Sequence, residues 1–461
     1  MSLIQIAWKS IRQRSLASSL TAFNMALGVM LMVTVLVFYG VIERSFRQSG
    51  AHYQLVVGPK GSKVDLVLSS VYRVSPPIEN LPYLYYKQLK EDPRVEEAIP
   101  VALGDVTEEG SFPIVGTVSR YFELPYASGK KFRVKARNGF SGSFDAIVGA
   151  EVARTNGWDV GAKFKLVHGG ADTGHTHDEE FEVVDILGRT GTPNDRTVFV
   201  NLKGFYLVSG HEKPVEESIA QLEKFYPAGI PGGEKRIKEL REHAASEAAH
   251  HDHDHGDDDG HDHGHDHGHS HNHGLPDELK EVTSVFLMMK DQDDYMAYSF
   301  MNELKTGFQA QAVNPVQVMT DLMESLIGNV QKMMLVLIGL IIIVSGIGIF
   351  VSIYNSMADR RKEIAIMRSL GAQRQTIFAI ILTESILLCL GGGILGLLLG
   401  HGLFYFGAPI IENNTGLVIE RFAFEPLELT LFPVLLVLAA LIGFLPGITA
   451  YRTNVADVLS E

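Results

Sequence analysis

Four long apolar runs constrain what this chain can fold into more than any other feature of its sequence. The runs are residues 16–42, 333–354, 376–406 and 429–450. The first and second contain no charged residue, the third contains only Glu384 and His401 as polar interruptions of note, and the fourth contains Pro433 and Pro446. Because about 20 apolar residues suffice for a helix to cross a bilayer, each run predicts a transmembrane helix.

A cleavable signal peptide is the competing interpretation of the first run. Such a peptide has an apolar core of about 7–15 residues followed by a cleavage site of small residues. The uncharged stretch here extends over 27 positions, from residue 16 to residue 42. It is therefore predicted to be an uncleaved membrane anchor.

Basic residues near the ends of the runs predict the orientation in the membrane, because Lys and Arg are enriched in cytoplasmic loops. The basic residues are Lys9, Arg12 and Arg14 before the first run, Arg360, Arg361, Lys362, Arg368 and Arg374 between the second and third, and Arg452 after the fourth. The segment between the third and fourth runs has one arginine, Arg421, against four glutamates. Both termini are thus predicted to be cytoplasmic and the long middle segment extracytoplasmic.

The predicted organisation follows from these runs. Its segments are a cytoplasmic interfacial helix at 1–15, spans at 16–42, 333–354, 376–406 and 429–450, an extracytoplasmic domain at 43–332, a cytoplasmic coupling helix at 355–375, a short extracytoplasmic loop at 407–428 and a cytoplasmic tail at 451–461. The amphipathic start of the chain suits a helix lying on membrane lipid, although a simple positive flank of the first span explains it equally well.

The middle segment is long enough to need a hydrophobic core of its own. Strands are predicted at 53–58, 181–188, 197–202 and 282–290, and helices at 83–91, around 147–156, at 234–250 and at 294–308. The predicted fold class is therefore an α-helical membrane protein with four transmembrane helices and a large mixed α+β extracytoplasmic domain. The formal net charge of −14 argues against a nucleic-acid partner, and the single cysteine, Cys389, excludes a disulfide within the chain.

Residues 250–273 form a histidine-rich run, which contains eleven of the eighteen histidines and lies within the predicted loop 250–274. Its histidines are His250, His251, His253, His255, His261, His263, His265, His267, His269, His271 and His273. Imidazole is a preferred ligand of zinc, nickel and copper(II), and the neighbouring aspartates offer carboxylate oxygens. Because the run has no apolar residue to bury, we expect a disordered loop that binds such a metal ion. No covalently bound cofactor is expected.

A second group of possible ligands lies in the sequence VHGGADTGHTHDEE. His168, His175, His177 and Asp178 are expected around a glycine-rich turn between two strands. His175 and His177 are predicted metal ligands on this basis. Polar hairpins often carry such residues without a metal, so the motif gains its weight from the histidine-rich run.

The segment between the second and third spans, ADRRKEIAIMRSLGAQRQTI (358–377), resembles the signature of MacB/FtsX-like permeases of ABC transporters. The resemblance continues in TESILLCLGGGILGLLLG (383–400) and FLPGITAYRTNVADVLSE (444–461), except that Val455 stands where the family has a second proline. In the middle segment, YLYYKQLKEDPRVEEAIPV (83–101) resembles the entry of the family's periplasmic core, which implies a periplasmic core-like domain. The resemblance covers most of the chain outside 203–275.

The resemblance implies that residues 358–371 form the helix that couples the permease to an ATPase. The residues expected to carry this coupling are Arg360, Arg361, Glu363, Ile364, Met367, Arg368, Leu370 and Gly371. The apolar residues Ile364, Met367 and Leu370 recur at three-residue spacing, which predicts one apolar face, and Gly371 stands where a helix would end. A basic interfacial turn that only fixes the topology is the alternative from the residues alone.

The chain itself has no G-x-x-x-x-G-K-[ST] sequence, so it is not expected to be an enzyme. The resemblance implies that ATP is bound by a separate cytoplasmic ABC ATPase subunit and that two permease copies form a homodimer. It places the chain in the bacterial inner membrane as a multi-pass protein with its large domain in the periplasm. A periplasmic or outer-membrane binding protein is a further expected partner.

Four residues of the third run are expected to matter for helix packing. Gly392, Gly396 and Gly400 recur at four-residue spacing, the small-xxx-small pattern that lets helices approach closely, either within one subunit or across a dimer. Glu384 is a carboxylate in an apolar run and is costly there without a partner. Structural anchoring near the membrane interface is expected of it, with a proton or metal relay as the alternative.

The sequence therefore predicts a permease subunit that couples ATP hydrolysis by a partner to movement of its extracytoplasmic domain, with a role in zinc handling. Two other functions fit the same residues. One is a lipoprotein, peptide or drug exporter in which the histidine-rich run is an incidental linker. The other is a mechanotransmission regulator that controls an envelope enzyme or a sensor.

Overall fold

A computed structural model describes the chain in twelve segments. They are residues 3–50, 53–77, 79–127, 129–134, 139–168, 175–208, 214–251, 275–290, 294–307, 309–359, 361–415 and 424–452. The chain divides into two compact units. The helical unit comprises residues 1–44 and 322–461, and the sheet domain comprises residues 45–321.

The helices and strands are numbered in chain order. The α-helices are α1 Leu3–Gln13, α2 Ser15–Gly50, α3 Lys63–Val67, α4 Tyr83–Glu91, α5 Arg120–Glu123, α6 Ala150–Asn156, α7 Leu202–Phe205, α8 Val215–Phe225, α9 Gly233–His251, α10 Asp294–Thr306, α11 Pro315–Leu322, α12 Gly328–Asp359, α13 Arg361–Ser369, α14 Arg374–Thr415 and α15 Leu431–Arg452. The strands are β1 Leu55–Gly58, β2 Leu81–Pro82, β3 Val95–Thr107, β4 Pro113–Thr117, β5 Pro125–Ala127, β6 Lys130–Lys131, β7 Asp145–Val148, β8 Lys163–His168, β9 His175–Ile186, β10 Val198–Asn201, β11 Glu281–Val282, β12 Ser284–Met289 and β13 Gln311–Val313. Short π turns cover Leu68–Tyr72 and Met323–Ile327, and 3₁₀ turns cover Pro193–Arg196 and Pro426–Thr430.

Four helices among the described residues are long and apolar enough to cross a membrane. They are Ser15–Arg44, Pro315–Asn355, Arg374–Ile410 and Pro426–Tyr451. Together with the mixed sheet and helices of residues 45–321, they confirm the predicted fold class.

The helices extend beyond the apolar runs from which they were predicted. The third run was expected to end at residue 406 and to be followed by a loop, but α14 continues through Pro409 to Thr415. The chain is also helical from Pro315, well before the second run. The reason is that backbone hydrogen bonding continues a helix after its side chains become polar, whereas an apolar run marks only the part suited to lipid.

Within the helical unit, the glycine stripe of α14 packs against α2. A Cβ atom at Gly396 would lie 2.5 Å from the carbonyl oxygen of Ala26, and one at Gly392 would lie 2.8 Å from that of Ala22. At Gly400 the nearest atom is the Cβ of Val33, at 3.0 Å. The structure thus places the stripe against the first span of the same chain, where only a residue without a side chain fits.

Polar groups near the ends of α14 and α15 have partners inside the helical unit. Nε2 of His401 lies 2.8 Å from Oε2 of the buried Glu428, and Arg44 forms an ion pair with Glu425. Glu428 also accepts a hydrogen bond from the backbone nitrogen of Glu425 at 2.9 Å. These contacts join the segment before α15 to α2 and α14, and they compensate charges that burial alone would disfavour.

The large sheet of the sheet domain contains two lobes that share the long strand β3. Its strand order is β13-β1-β12-β3-β4-β10-β7-β9-β8, and β8 also pairs with β3. The strands from β3 through β4, β10, β7, β9 and β8 therefore form a closed ring of six. The first half of β3 pairs with β12, and the second half pairs with β4 and β8.

Each lobe encloses its own hydrophobic core. Inside the ring, the core includes Phe181, Leu166 and Val198, all fully buried. In the open lobe, α4 and α10 cover the sheet, and the core includes Leu287 and Phe300. The helix predicted around 147–156 corresponds to α6, Ala150–Asn156, while residues 147 and 148 belong to the preceding strand β7.

The two described ends of the chain around the histidine-rich run are held together. Leu240 of α9 packs with Ile219 of α8 and with Leu279, which follows the run. The guanidinium of Arg236 on α9 donates to both carboxylate oxygens of Glu278, at 2.8 and 2.9 Å. The first half of α9 is therefore fixed to the segment that follows the run.

Candidate functional site

Most of the predicted metal ligands fall on residues of which the structure gives no side-chain description. The histidines from His253 to His273 lie outside the described residues. His250 and His251 end α9, but their side chains lie outside the description, as does the side chain of His175 at the start of β9. Metal binding by the histidine-rich run therefore stays a prediction.

One group of possible ligands does come together in the sheet domain, and its members are Asp105, His168 and His177. The strand register explains why they meet. Asp105 of β3 is the direct partner of His168 of β8, and His168 is in turn paired with His175 of β9, two residues before His177. Direct partners and diagonal neighbours on one sheet face are close enough for side chains to interact. We call this group the Asp–His triad.

The ligand atoms of the Asp–His triad all lie within 4.8 Å of one another. Nδ1 of His168 is 2.9 Å from Oδ1 of Asp105, and the rings of His168 and His177 are 6.2 Å apart between centroids. Asp105 and His177 are 3% and 9% exposed, whereas the side chain of His168 is 60% exposed. Two ligands are thus fixed inside the domain and the third reaches the surface.

The structure corrects the expected position of this cluster. His177 was placed in a glycine-rich turn, but it lies in β9, which begins at His175. Asp178 does not join the triad: its side chain is fully exposed and lies 3.9 Å from Nζ of Lys165. The reason is that successive residues of a strand point to opposite faces, so neighbours in sequence cannot both enter one cluster.

Asp105 was missed by the sequence reasoning. The pairing of β3 with β4 is irregular between Leu103 and Val106, so alternation along the strand does not assign Asp105 to a face. In the fold Asp105 is 3% exposed, and a buried carboxylate needs a partner or a metal ion. The pairing partner, 63 residues away in the chain, is visible only in the fold.

The predicted coupling segment contains the helix α13. Its end has the hydrogen bonds of a Schellman motif: the backbone nitrogen of Ala372 donates to the oxygen of Met367 and that of Gly371 donates to the oxygen of Arg368. Gly371 has φ +102°, a conformation that favours glycine. Arg360 and the side chains of Arg361 and Glu363 lie outside the described residues.

The apolar face expected on α13 is only partly present. Ile364 is buried, and together with Met367 it lines a cavity of about 320 Å³ at this end of the helical unit. Leu370, expected on the same face, is 83% exposed, because α13 ends at Ser369 and Leu370 belongs to the turn that follows. Ile366 is half exposed.

Glu384 lies in the same cavity as Ile364 and Met367. Its side chain is buried and Oε2 accepts a hydrogen bond from Oγ of Ser10 in α1 at 3.1 Å. Ile6 of α1 and Ile353 of α12 also line the cavity. Four helices of the helical unit, α1, α12, α13 and α14, therefore meet around one apolar cavity that contains a single carboxylate among its lining residues.

This fold defines the class of the protein, which is a multi-span helical membrane protein with a large α+β domain between its first and second spans. The FtsX-like permease C-terminal family matches residues 335–455, and the MacB-like periplasmic core domain family matches residues 18–224. In both regions the chain is similar to the MacB/FtsX-like ABC permeases, which confirms the resemblance predicted from the sequence. The two matches include α13, the spans around it and the strands that carry the Asp–His triad.

Individual proteins resemble shorter parts of the chain. A macrolide export ATP-binding/permease protein MacB of Rhodopirellula baltica is 27% identical over 150 residues, which are 32% of this chain and 21% of that protein. A MacB of Yersinia pestis is 30% identical over 147 residues, 30% of this chain and 22% of that protein. The match thus spans about a fifth of the length of these curated relatives.

Two solved structures of extracytoplasmic domains also match part of the chain. The periplasmic region of MacB from Actinobacillus actinomycetemcomitans matches 61% of this chain and 97% of that chain, with 9% identity and a TM-score of 0.32. The extracellular domain of the ABC-type transporter YknZ from Gram-positive bacteria matches 56% and 98%, with 12% identity and a TM-score of 0.27.

Proposed function

We propose that this chain is the permease subunit of an ABC complex in the bacterial inner membrane, with its sheet domain in the periplasm. Two copies pair with each other and with two copies of a separate cytoplasmic ATPase. The observation that carries the proposal is the helix α13, which ends in a Schellman motif between two spans inside the region that matches the FtsX-like permease family. ATP binding and hydrolysis by the partner move this helix.

The contacts of α13 suit a coupling element. Ile364 and Met367 face the cavity shared with α1, α12 and α14, so displacement of α13 changes the packing of three other helices. Ile366 and Leu370 are exposed apolar side chains beside them, and they provide a surface for a partner protein.

The chain path then delivers the movement to the sheet domain. The helical segment that includes α12 begins at Pro315, directly after β13, and α2 ends shortly before β1. Strands β1 and β13 are neighbours in the sheet, with Val56 paired to Val313. Movement of either span is therefore applied to the same edge of the open lobe. In this proposal the resulting motion of the sheet domain does work outside the membrane.

The specialised role that we propose is zinc handling. It is supported by the composition of the histidine-rich run, whose imidazole and carboxylate groups are ligands of zinc, nickel and copper(II). A second candidate function is export of a small molecule, peptide or lipoprotein, in which the histidine-rich run is an incidental linker. The observation in its favour is that the similar MacB proteins are named macrolide exporters.

Growth across a range of zinc concentrations separates these roles. A strain that lacks the gene would receive either the intact chain or a variant in which residues 250–274 are replaced by a Gly/Ser linker of equal length. We expect poor growth of the deletion strain under zinc chelation, with rescue by the intact chain and weaker rescue by the linker variant. Equal growth of all strains under both chelation and zinc excess would contradict the zinc role and favour the export role.

A further inference from the structure

We infer that the Asp–His triad is a binding site for a divalent transition-metal ion of the zinc class, built into the folded sheet domain and separate from the histidine-rich run. Two imidazoles and one carboxylate are a common zinc ligand set, with one position left for water or another ligand. That the triad binds metal does not depend on the proposed function. Only its part in zinc handling rests on that proposal.

The first argument is that the scaffold positions the ligands before any metal arrives. Asp105 and His177 belong to two strands of the closed ring, and both are almost completely buried. His168 lies on the strand between them and pairs directly with Asp105 and with His175, two residues before His177, so the register of β3, β8 and β9 brings the three residues together. Ligands placed on strands are held more precisely than ligands on loops.

The second argument concerns distance. Nitrogen and oxygen ligands of zinc lie about 2.0–2.2 Å from the ion, which puts tetrahedral ligand atoms roughly 3.3 Å from one another. The atoms of the triad already lie within 4.8 Å, and the Asp105–His168 pair is at 2.9 Å. Reaching tetrahedral spacing therefore needs shifts of at most about 1.5 Å, and His168, as the exposed member of the triad, has the most room to move.

The third argument is access. Asp105 and His168 line a cavity of about 260 Å³ in the sheet domain, which is large enough for an ion and several waters. Leu275, the first described residue after the histidine-rich run, lines the same cavity. The run is therefore tethered beside the triad. A tether raises the effective concentration of whatever it binds near its attachment point, so metal released by the run meets the triad first.

The test uses the full chain in detergent, with residues 250–274 replaced by a Gly/Ser linker so that the run does not contribute metal. Zinc content would be measured by elemental analysis after gel filtration, and affinity by competition with a chromophoric chelator. We expect about one equivalent of zinc per chain, with an affinity at least about tenfold weaker in His168→Ala and in Asp105→Asn. Co²⁺ in place of zinc should give the absorption of a nitrogen- and oxygen-ligated site in the linker variant and lose it in both substitutions.

Asp178→Asn is the matched control, because it removes a neighbouring carboxylate that points to the opposite face of β9, and it should leave zinc binding unchanged. His168→Ala changes an exposed side chain, so this variant keeps the test open if Asp105→Asn fails to fold. The inference would be overturned if the linker variant binds no stoichiometric zinc, or if His168→Ala binds as tightly as the linker variant.

The outcomes also separate this inference from the proposed zinc role. Binding by the purified linker variant, together with growth that is indifferent to zinc, would retain the site and remove the role. A zinc-dependent growth defect without binding at the triad would retain the role and remove the site.

Discussion

At the scale of single residues, a close contact with the backbone of α2 constrains one glycine of α14. A Cβ atom at Gly396 would lie 2.5 Å from the carbonyl oxygen of Ala26 and 2.7 Å from the Cβ of Val29, and backbone atoms cannot move aside as a flexible side chain can. Gly391 lies in the same helix, and nothing lies within 4 Å of its ideal Cβ position. Alanine at either position increases helix propensity, but only at Gly396 does the added methyl group meet neighbouring atoms, so comparing the two substitutions isolates the effect of packing.

We expect Gly396→Ala to lower the stability of the purified protein by about 1–3 kcal/mol, because the added methyl group forces α2 and α14 apart. Gly391→Ala should leave stability unchanged or raise it by roughly 0.5–1 kcal/mol, since alanine favours a helix more than glycine does. The measurement is thermal unfolding of the two variants in detergent. Equal melting temperatures would contradict the packing of the glycine stripe against the first span.

Residues also show where sequence reasoning reached its limit. The glycine stripe and Gly371 could be identified because helix periodicity and helix termination are local patterns. Asp105 could not, because its partners lie on strands that are distant in sequence, and register is a property of the fold. Leu370 was predicted to lie on the apolar face of the helix, but it follows the last helical residue, because the three-residue spacing of apolar residues continues into the turn.

At the scale of secondary-structure elements, the exposed turn after α13 tests the coupling proposal. Leu370 is 83% exposed, so Leu370→Asp should fold and accumulate as the intact chain does. A charge in an apolar contact with a partner is costly, so we expect this variant to fail to restore growth of the deletion strain. Gln373→Asp places the same charge at another exposed position nearby and should restore growth. Full rescue by Leu370→Asp would exclude this turn from the partner contact.

The helix before the histidine-rich run gives a pH-dependent prediction. The hydrogen bonds from Arg236 hold the pKa of Glu278 below its ordinary value of 4.5. A carboxyl group with a lowered pKa in the folded state contributes stability above the unfolded pKa, and this contribution is lost as the pH falls through the folded pKa. Hydrogen–deuterium exchange in α9 should therefore accelerate when the pH falls from neutral to below about 4.5, beyond the intrinsic effect of pH.

Arg236→Gln should remove most of that pH dependence, because it removes the group that lowers the pKa of Glu278. Arg241→Gln is the control, since Arg241 pairs with Glu216 where both side chains are largely exposed, and such pairs contribute little. Identical pH dependence in the Arg236→Gln variant and the unchanged chain would show that the Arg236–Glu278 pair does not hold this helix in place.

At the scale of the whole molecule, the four apolar runs predicted the number of spans, because a helix must be about 20 apolar residues long to cross the bilayer. The closed ring of six strands was not predicted, since its closure depends on pairing β3 with β8, whose residues are about 60 positions apart. The same closure creates the Asp–His triad. The candidate metal site of the sheet domain therefore depends on long-range strand pairing, which local sequence patterns do not reveal.

The relation between the histidine-rich run and the Asp–His triad gives a prediction for the intact protein in cells. If the run supplies metal to the triad, the two act in series. A strain that carries both the linker replacement and His168→Ala should then grow under zinc chelation as poorly as the more severe single variant, and no worse. Mutations that act independently have additive effects on free energy, so two separate routes would give a double variant clearly worse than either single one. Growth rates of the four strains across chelator concentrations provide the comparison, with Asp178→Asn in the same backgrounds as the control.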